Sequence, residues 1–397
     1  MSLSLITQIQ KQLQNHRIQG WLLYDLHGSN HLASSILCCS SETLMTRRCF
    51  YWIPREGSPV KIVHRIEEYN LDHLPGEKRV YLSWREMHEI LQKTLTGITQ
   101  VAMEYSPYQA IPTLSKIDGG LIDLIRSFGI KVVSSAPFLQ FFTCVWTDEQ
   151  YLLHKEAARV LDHVVNDAWK MIALFLQKKK SITEYDVQQF ILAEFERAQC
   201  ITEGIPICGV GRNSADPHYI PTSKGCQTIK KGDFILIDLW CKKNLPNAVF
   251  ADITRVGVAS IEPTPMQKKI FTLVRKAQQE GTDLIKWCYQ NGREVSGYEV
   301  DRKVRCIIEE AGYGPYFTHR TGHNIHVENH GPGANLDMLE TEDHRLLIPK
   351  TCFSIEPGIY LPEDFGVRLE YDVYIHENCV VEVTSPPQDE IITLLNF

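Results

Sequence analysis

The sequence predicts an α/β domain over residues 1–145 followed by an α+β domain over residues 146–397. Three observations carry that expectation. A chain of 397 residues is too long for one ordinary hydrophobic core, so two domains are expected. Its first part alternates helix-like and strand-like stretches. Its second part opens on a long amphipathic pattern and closes in strand-rich sequence, with helices between strands instead of a strict βαβ rhythm.

In order along the chain, ITQIQKQLQNHRI reads as a helix, GWLLYD as a strand, and RCFYWIP and SPVKIVH as further strands. ITQVAMEYS is another strand, IDGGLIDLIRSFG a helix ending at Gly129, and IKVVSS a closing strand. No cluster of carboxylates or histidines assembles into a site in this part. The pattern breaks over residues 136–150. A long helix begins after Thr147, with Ala157, Val160, Leu161, Val164, Val165 and Ala168 at helical spacing. SITEYDVQQFILAEFERAQC is a second helix, opened by Thr183 with Asp186 at the capping-box offset. FILIDLW and AVFADITRVGV are strands, MQKKIFTLVRKAQQ and YEVDRKVRCIIEEAG are helices, and strands resume from Thr351.

The composition, 44% hydrophobic and 22% charged, is that of a globular protein. A net charge of −7 argues against nucleic acid or an anionic membrane as main partner. No segment has the apolar length of a signal peptide or a membrane span, which places the chain in the cytoplasm. The twelve cysteines form no CxxC pair or short-period framework, and several sit in apolar segments, as expected of reduced, structural thiols.

The stretch HRTGHNIHVENHG holds histidines at 319, 323, 326 and 330, a spacing that would line one helix face. Gly322, the strand formers Ile325 and Val327, and the closing NHGPG predict an extended segment turning into a loop instead. The four imidazoles then need not share a task. Nearby, Asp238, Asp252, Glu356 and Glu370 each stand among apolar neighbours on strand-like sequence. Four buried anions must be neutralised. Two divalent cations would do so, with one imidazole completing an oxygen-rich donor set suited to Mn, Mg, Co or Zn.

With DLW…ADITR, HRTGH, SIEPGIY and GVRLE in register, roughly the last 250 residues resemble the creatinase/aminopeptidase P/prolidase family, the M24 "pita-bread" metallopeptidases. The resemblance implies a pita-bread catalytic domain and metal ligands Asp238, Asp252, His323, Glu356 and Glu370. It implies a metal-bridging hydroxide as nucleophile, with Glu356 as general base. His218, His319 and His330 would contact the substrate carbonyl and the tetrahedral intermediate. Arg368 would orient the acidic ligands. Two divalent ions are expected, Mn²⁺ first, with Co²⁺ or Zn²⁺ as alternatives. The implied substrate is a peptide with proline at the second position, and the implied assembly a homodimer.

This chain departs from the family pattern at Trp240 and His326, where glycine often stands, and in a longer Asp238–Asp252 hairpin. His326 is expected to narrow the pocket. The leading reading is an Xaa-Pro aminopeptidase, with an Xaa-Pro dipeptidase (prolidase) as alternative. A dipeptidase needs a cation for the free carboxylate, and Arg345 lies near the right segment. Remoter alternatives are a creatinase-like C–N hydrolase and a non-catalytic binding protein, against which the intact ligand set argues.

Overall fold

The structure is a computed structural model that describes residues 3–38 and 45–396. The chain divides into two compact units, Met1–Thr143 and Cys144–Phe397.

The first unit runs α1 (Leu3–Asn15), β1 (Gly20–Asp25), α2 (His31–Leu37), β2 (Cys49–Pro54), β3 (Val60–His64), β4 (Glu77–Tyr81), α3 (Trp84–Thr94), β5 (Gln100–Met103), α4 (Gly119–Ser127), β6 (Lys131–Ser134) and α5 (Ala136–Thr143). Its sheet has the order β4-β3-β2-β1-β5-β6. The central strand β1 is buried on both faces, which explains its unbroken apolar run. Trp21 and Leu23 pack with Ile9 and Leu13 of α1, Ile36 of α2 and Phe138 of α5. Leu22 and Tyr24 pack on the other side with Met87 and Leu91 of α3 and Ile125 of α4.

The sequence reading did not anticipate α2, β4, α3 or α5. Strand β4 is an edge strand whose EKRVY is largely exposed, so it lacks apolar alternation. Helix α3 does carry a readable start: Ser83 and Glu86 form a reciprocal capping box. The break expected over residues 136–150 is in part the short apolar helix α5.

The second unit runs α6 (Asp148–Gln177), α7 (Glu184–Arg197), β7 (Cys200–Ile201), β8 (Ile207–Val210), β9 (Phe234–Lys243), β10 (Ala251–Val258), α8 (Pro265–Gln290), α9 (Gly297–Glu310), β11 (Asn324–Ile325), β12 (Cys352–Ile355), β13 (Gly358–Tyr360), β14 (Gly366–Arg368), β15 (Tyr371–Ile375), β16 (Val381–Val383) and β17 (Ile392–Thr393). Its four helices each open on a capping box: Thr147 with Gln150, Thr183 with Asp186, Thr264 with Gln267, and Ser296 with Glu299. Each box satisfies backbone N–H groups that the first helical turn leaves unpaired. One sheet has the order β17-β10-β9-β7, with β8 also on β9; a second has the order β11-β12-β15-β16; β13 and β14 form a ribbon.

Strand alternation in β9 and β10 separates two cores. Ile235, Ile237, Leu239 and Ile253 pack under α6 and α7 with Trp169 and Ile191. Phe234, Leu236, Val256 and Val258 face the opposite core, with Ile270 of α8, Val304 of α9, and Phe353 and Val373 of the second sheet. By the same period, Asp238 and Asp252 lie on this second face.

A buried carboxylate fixes the loop that follows β8. Glu184, at the start of α7, is fully buried. It accepts hydrogen bonds from the backbone N–H groups of Val210 (2.7 Å) and Gln227 (2.6 Å), from the Asn213 amide (2.9 Å) and from the Tyr219 hydroxyl (2.6 Å). Four donors, one buried and three partly buried, therefore depend on one side chain. Glu184→Ala should destabilise the chain by roughly 3 kcal/mol, the scale for stranding buried donors. The urea midpoint of the metal-free protein checks this; an unchanged midpoint refutes it.

Candidate active site

The register of β9 and β10 places the two aspartates. Asp238 pairs opposite Thr254, and Asp252 opposite Trp240. The two acids are thus diagonal neighbours on one face, within mutual reach. Glu370 enters between β14 and β15, where its carboxylate accepts the Thr254 hydroxyl at 2.6 Å. Glu356 follows β12 and accepts the Ser354 hydroxyl at 3.0 Å. The longer hairpin leaves both aspartates on regular strand: β9 runs on to Lys243 and β10 resumes at Ala251.

The histidine stretch is extended and then looped, as the sequence reading expects, with only β11 as regular structure. Gly322 is needed there because a Cβ would lie 2.0 Å from the Ser354 carbonyl oxygen. That close approach drops His323 among the acids. Its Nε2 is 3.3 Å from Glu356 Oε1 and 3.9 Å from Asp252 Oδ2, while Nδ1 lies 3.3 Å from the Asn324 carbonyl. With the proton on Nδ1, Nε2 keeps its lone pair for a cation.

The remaining histidines part ways. His330 stacks edge-on against His323, with ring centroids 4.2 Å apart. Burial, then the charge of Arg320, pushes it down to about 4, so it is neutral at pH 7. His218 is held by its backbone N–H on Asp216 (3.0 Å) and lines the cavity. His319 also lines the cavity, but both its nitrogens are engaged: Nδ1 with the Arg320 carbonyl and Nε2 with the Tyr360 hydroxyl, each at 2.7 Å. As placed, it steadies Tyr360 through these two contacts. His326 does not line the cavity, so the expected narrowing by its imidazole is not found.

Arg368 ties the acids to this polar wall. Its guanidinium donates to Asp238 Oδ2, to Thr254 Oγ1 at 3.2 Å and to the Tyr360 hydroxyl at 2.9 Å. Because Tyr360 accepts from Arg368, its own proton goes to His319. Sequence reasoning missed Tyr360, although it closes the SIEPGIY motif. It also missed Asn329, whose amide donates to Asp252 Oδ2 at 2.9 Å, and Asp372, which accepts the Asp252 N–H at 2.8 Å. Their roles come from contacts between segments far apart in the chain. Arg345 is not a pocket cation: it is buried and bound to Asp343 (2.6 Å) and the Pro332 carbonyl (2.7 Å).

The donor set fits a metal. Asp252, His323 and Glu370 each offer a ligand atom, and these atoms lie within 4.8 Å of one another. Asp238 Oδ1 and Asp252 Oδ1 are buried without a hydrogen-bond partner among the described residues, a costly state that a cation relieves. Burial and then mutual repulsion raise the carboxyls of Asp252 and Glu370 well above the usual range. Burial likewise lifts Glu356 to about 7, against the opposing charges of Arg368 and Arg320. Around the cluster opens a cavity of about 1100 Å³, walled in part by Ile207, Trp240 and Arg320.

Comparison with known proteins accords with this chemistry. Residues 153–377 match the model of metallopeptidase family M24. An Xaa-Pro dipeptidase of Pyrococcus horikoshii is 32% identical over 377 residues, 93% of this chain and 92% of its own. A putative dipeptidase, YkvY, of Bacillus subtilis is 32% identical over 267 residues, covering 66% of this chain and 67% of its own. The crystal structure of dipeptidase PepE from Mycobacterium ulcerans superposes with a TM-score of 0.68 at 21% identity, covering 98% of this chain and 97% of that one. The second unit has the pita-bread fold that the sequence resemblance implied, preceded by an α/β domain. The chain is a metallopeptidase and belongs to family M24.

Proposed function

We propose that the chain hydrolyses the bond between a first residue and proline, and that its substrates are Xaa-Pro dipeptides. The convergence of Asp238, Asp252, His323, Glu356 and Glu370 in the lining of one cavity carries the hydrolytic reading. The choice of dipeptidase over the aminopeptidase favoured by the sequence is supported by the relatives named Xaa-Pro dipeptidase. In this reading the five side chains hold two divalent ions, Mn²⁺ by preference. Bound there, such ions would lower the pKa of water and polarise the scissile carbonyl.

The chain's own residues supply the rest. Glu356, with a carboxyl near neutrality, takes the proton of the attacking water and returns it to the leaving imino nitrogen. His330 and His218 make no side-chain hydrogen bond among the described residues, so their N–H groups are free to donate to the substrate carbonyl and the oxyanion. Arg368 and Tyr360 keep Asp238 oriented. The cytoplasmic setting is supported by the free, buried Cys208, Cys241 and Cys352, and the homodimer rests on the sequence resemblance. No helix among the described residues is long and apolar enough to cross a membrane.

Three measurements test this. Mn²⁺-loaded protein should cleave Xaa-Pro dipeptides faster than Xaa-Pro-Xaa tripeptides and leave Xaa-Ala almost untouched; equal cleavage of Xaa-Ala defeats the proline specificity. His323→Ala should lose metal and activity together. His330→Ala should keep metal and slow turnover about a hundredfold, the scale of one oxyanion donor. His326→Gly should change neither, and metal loss in that variant would show a misplaced register.

The third is pH dependence. In the metal-free chain Glu356 titrates near 7 instead of 4.5. Its contribution to stability is complete below 4.5 and is lost as pH rises to about 7, because the folded state binds the proton more tightly. A cation bound to the ionised carboxylates has the opposite preference. The rise in melting temperature caused by Mn²⁺ should therefore grow between pH 4.5 and 7. A constant rise across that window would count against metal binding at these acids.

A further inference from the structure

Resting on the two-ion reading above, we infer that Gln278 is a positioning residue that sets the spacing of Glu356 and Glu370 and so keeps the metal site in register. It stands on α8, beside Val274, Ala277 and Ile285 of the apolar core, and is itself 2% exposed. An amide buried among such neighbours is costly unless its hydrogen bonds are made. Here the side-chain nitrogen donates twice, to the Ile355 carbonyl and to the Leu369 carbonyl, each at 2.9 Å.

Each of these carbonyls belongs to the peptide unit that leads into a ligand, Ile355–Glu356 in one case and Leu369–Glu370 in the other. A peptide unit is planar, so holding its oxygen also places the α-carbon of the glutamate that follows. The other side of each unit is held as well. Glu356 N–H donates to the Thr321 carbonyl at 2.7 Å, and Glu370 N–H to the Thr254 carbonyl at 3.3 Å. One turn further along α8, the Thr282 hydroxyl meets the Tyr371 hydroxyl at 2.8 Å, so the helix reaches residues on both sides of Glu370.

A primary amide carries two N–H donors on one nitrogen, at a fixed angle to each other. Gln278 therefore joins the end of β12 to the residue just after β14 through a single atom. Neighbouring carboxylates repel each other in the metal-free chain, and this bridge opposes their separation. Ions held in common by several carboxylates require those groups at set distances. Groups that orient metal ligands from behind typically contribute about ten- to a hundredfold in affinity.

The test measures Mn²⁺ stoichiometry and affinity by calorimetry, and the melting temperature of the metal-free protein, on the full-length chain. Its variants are Gln278→Met, which fills a similar volume without a donor, and Gln278→Asn, whose amide is one methylene too short to reach both carbonyls. Ile285→Val, which trims a buried methyl two turns along the same helix, is the control for loosened packing. Native protein should bind two ions. Gln278→Met should weaken Mn²⁺ binding about ten- to a hundredfold, and Gln278→Asn should act in the same direction. Ile285→Val should lower the melting temperature and leave the affinity as it was. Should Gln278→Met not fold, Gln278→Asn decides. Native affinity in the folded Gln278 variants, or an equal loss in Ile285→Val, overturns this inference and leaves the two-ion reading standing. Native protein that binds no Mn²⁺ overturns both.

Discussion

Four carboxylates crowded into one buried corner are the constraint around which the second unit is built. Asp238, Asp252, Glu356 and Glu370 arrive from two sheets, and protein partners neutralise them only in part. Among the described residues Arg368 is the single guanidinium bonded to these carboxylates, and two of their buried oxygens, Asp238 Oδ1 and Asp252 Oδ1, stay without a donor. Such a corner is unfavourable by itself, since each anion raises the cost of ionising its neighbours. The two apolar cores on either side of β9 and β10 hold the strands in place against that repulsion. Folding energy from the cores thus keeps open a site whose charge is completed from outside.

Much of this was legible in the chain. Asp238 and Asp252 stand on strands whose period-2 pattern survives in the fold, whereas Glu356 and Glu370 sit just beyond strand ends, and the capping residues of α7 mark its start to the residue. The split among the four histidines was also foreseeable, because Gly322 and the β-branched residues rule out a helix. What was not legible depends on approach across the sheets. Tyr360, Asn329 and Asp372 look like ordinary polar residues until β13 brings the first to Arg368, and the loop after β11 and β15 bring the other two to Asp252. The contact between His319 and Tyr360 was likewise hidden, because only the fold brings the two side chains together.

The two residues that depart from the family pattern, His326 and Trp240, had different outcomes. His326 takes up space outside the cavity, where its backbone carbonyl accepts the Phe250 N–H at 2.9 Å. Trp240, directly opposite Asp252, is part of the cavity wall, with its indole N–H on the Glu203 carbonyl. Glu203 in turn accepts the backbone N–H of Asn329, the residue that braces Asp252. The aromatic substitution is therefore wired into the support of a ligand, which the hairpin's length alone did not suggest.

The Glu184 clamp bears on how the cavity meets its ligand. The segment from Val210 to Gln227 has almost no regular secondary structure, yet its ends and middle are bound to one buried carboxylate. A free loop carrying His218 would have to surrender its conformational freedom each time a peptide arrived, weakening every encounter. Here that freedom is given up once, when the chain folds. The amide protons of Val210 and Gln227 should accordingly exchange slowly, unusual for a loop, and the segment that carries His218 is tied down by the fold itself.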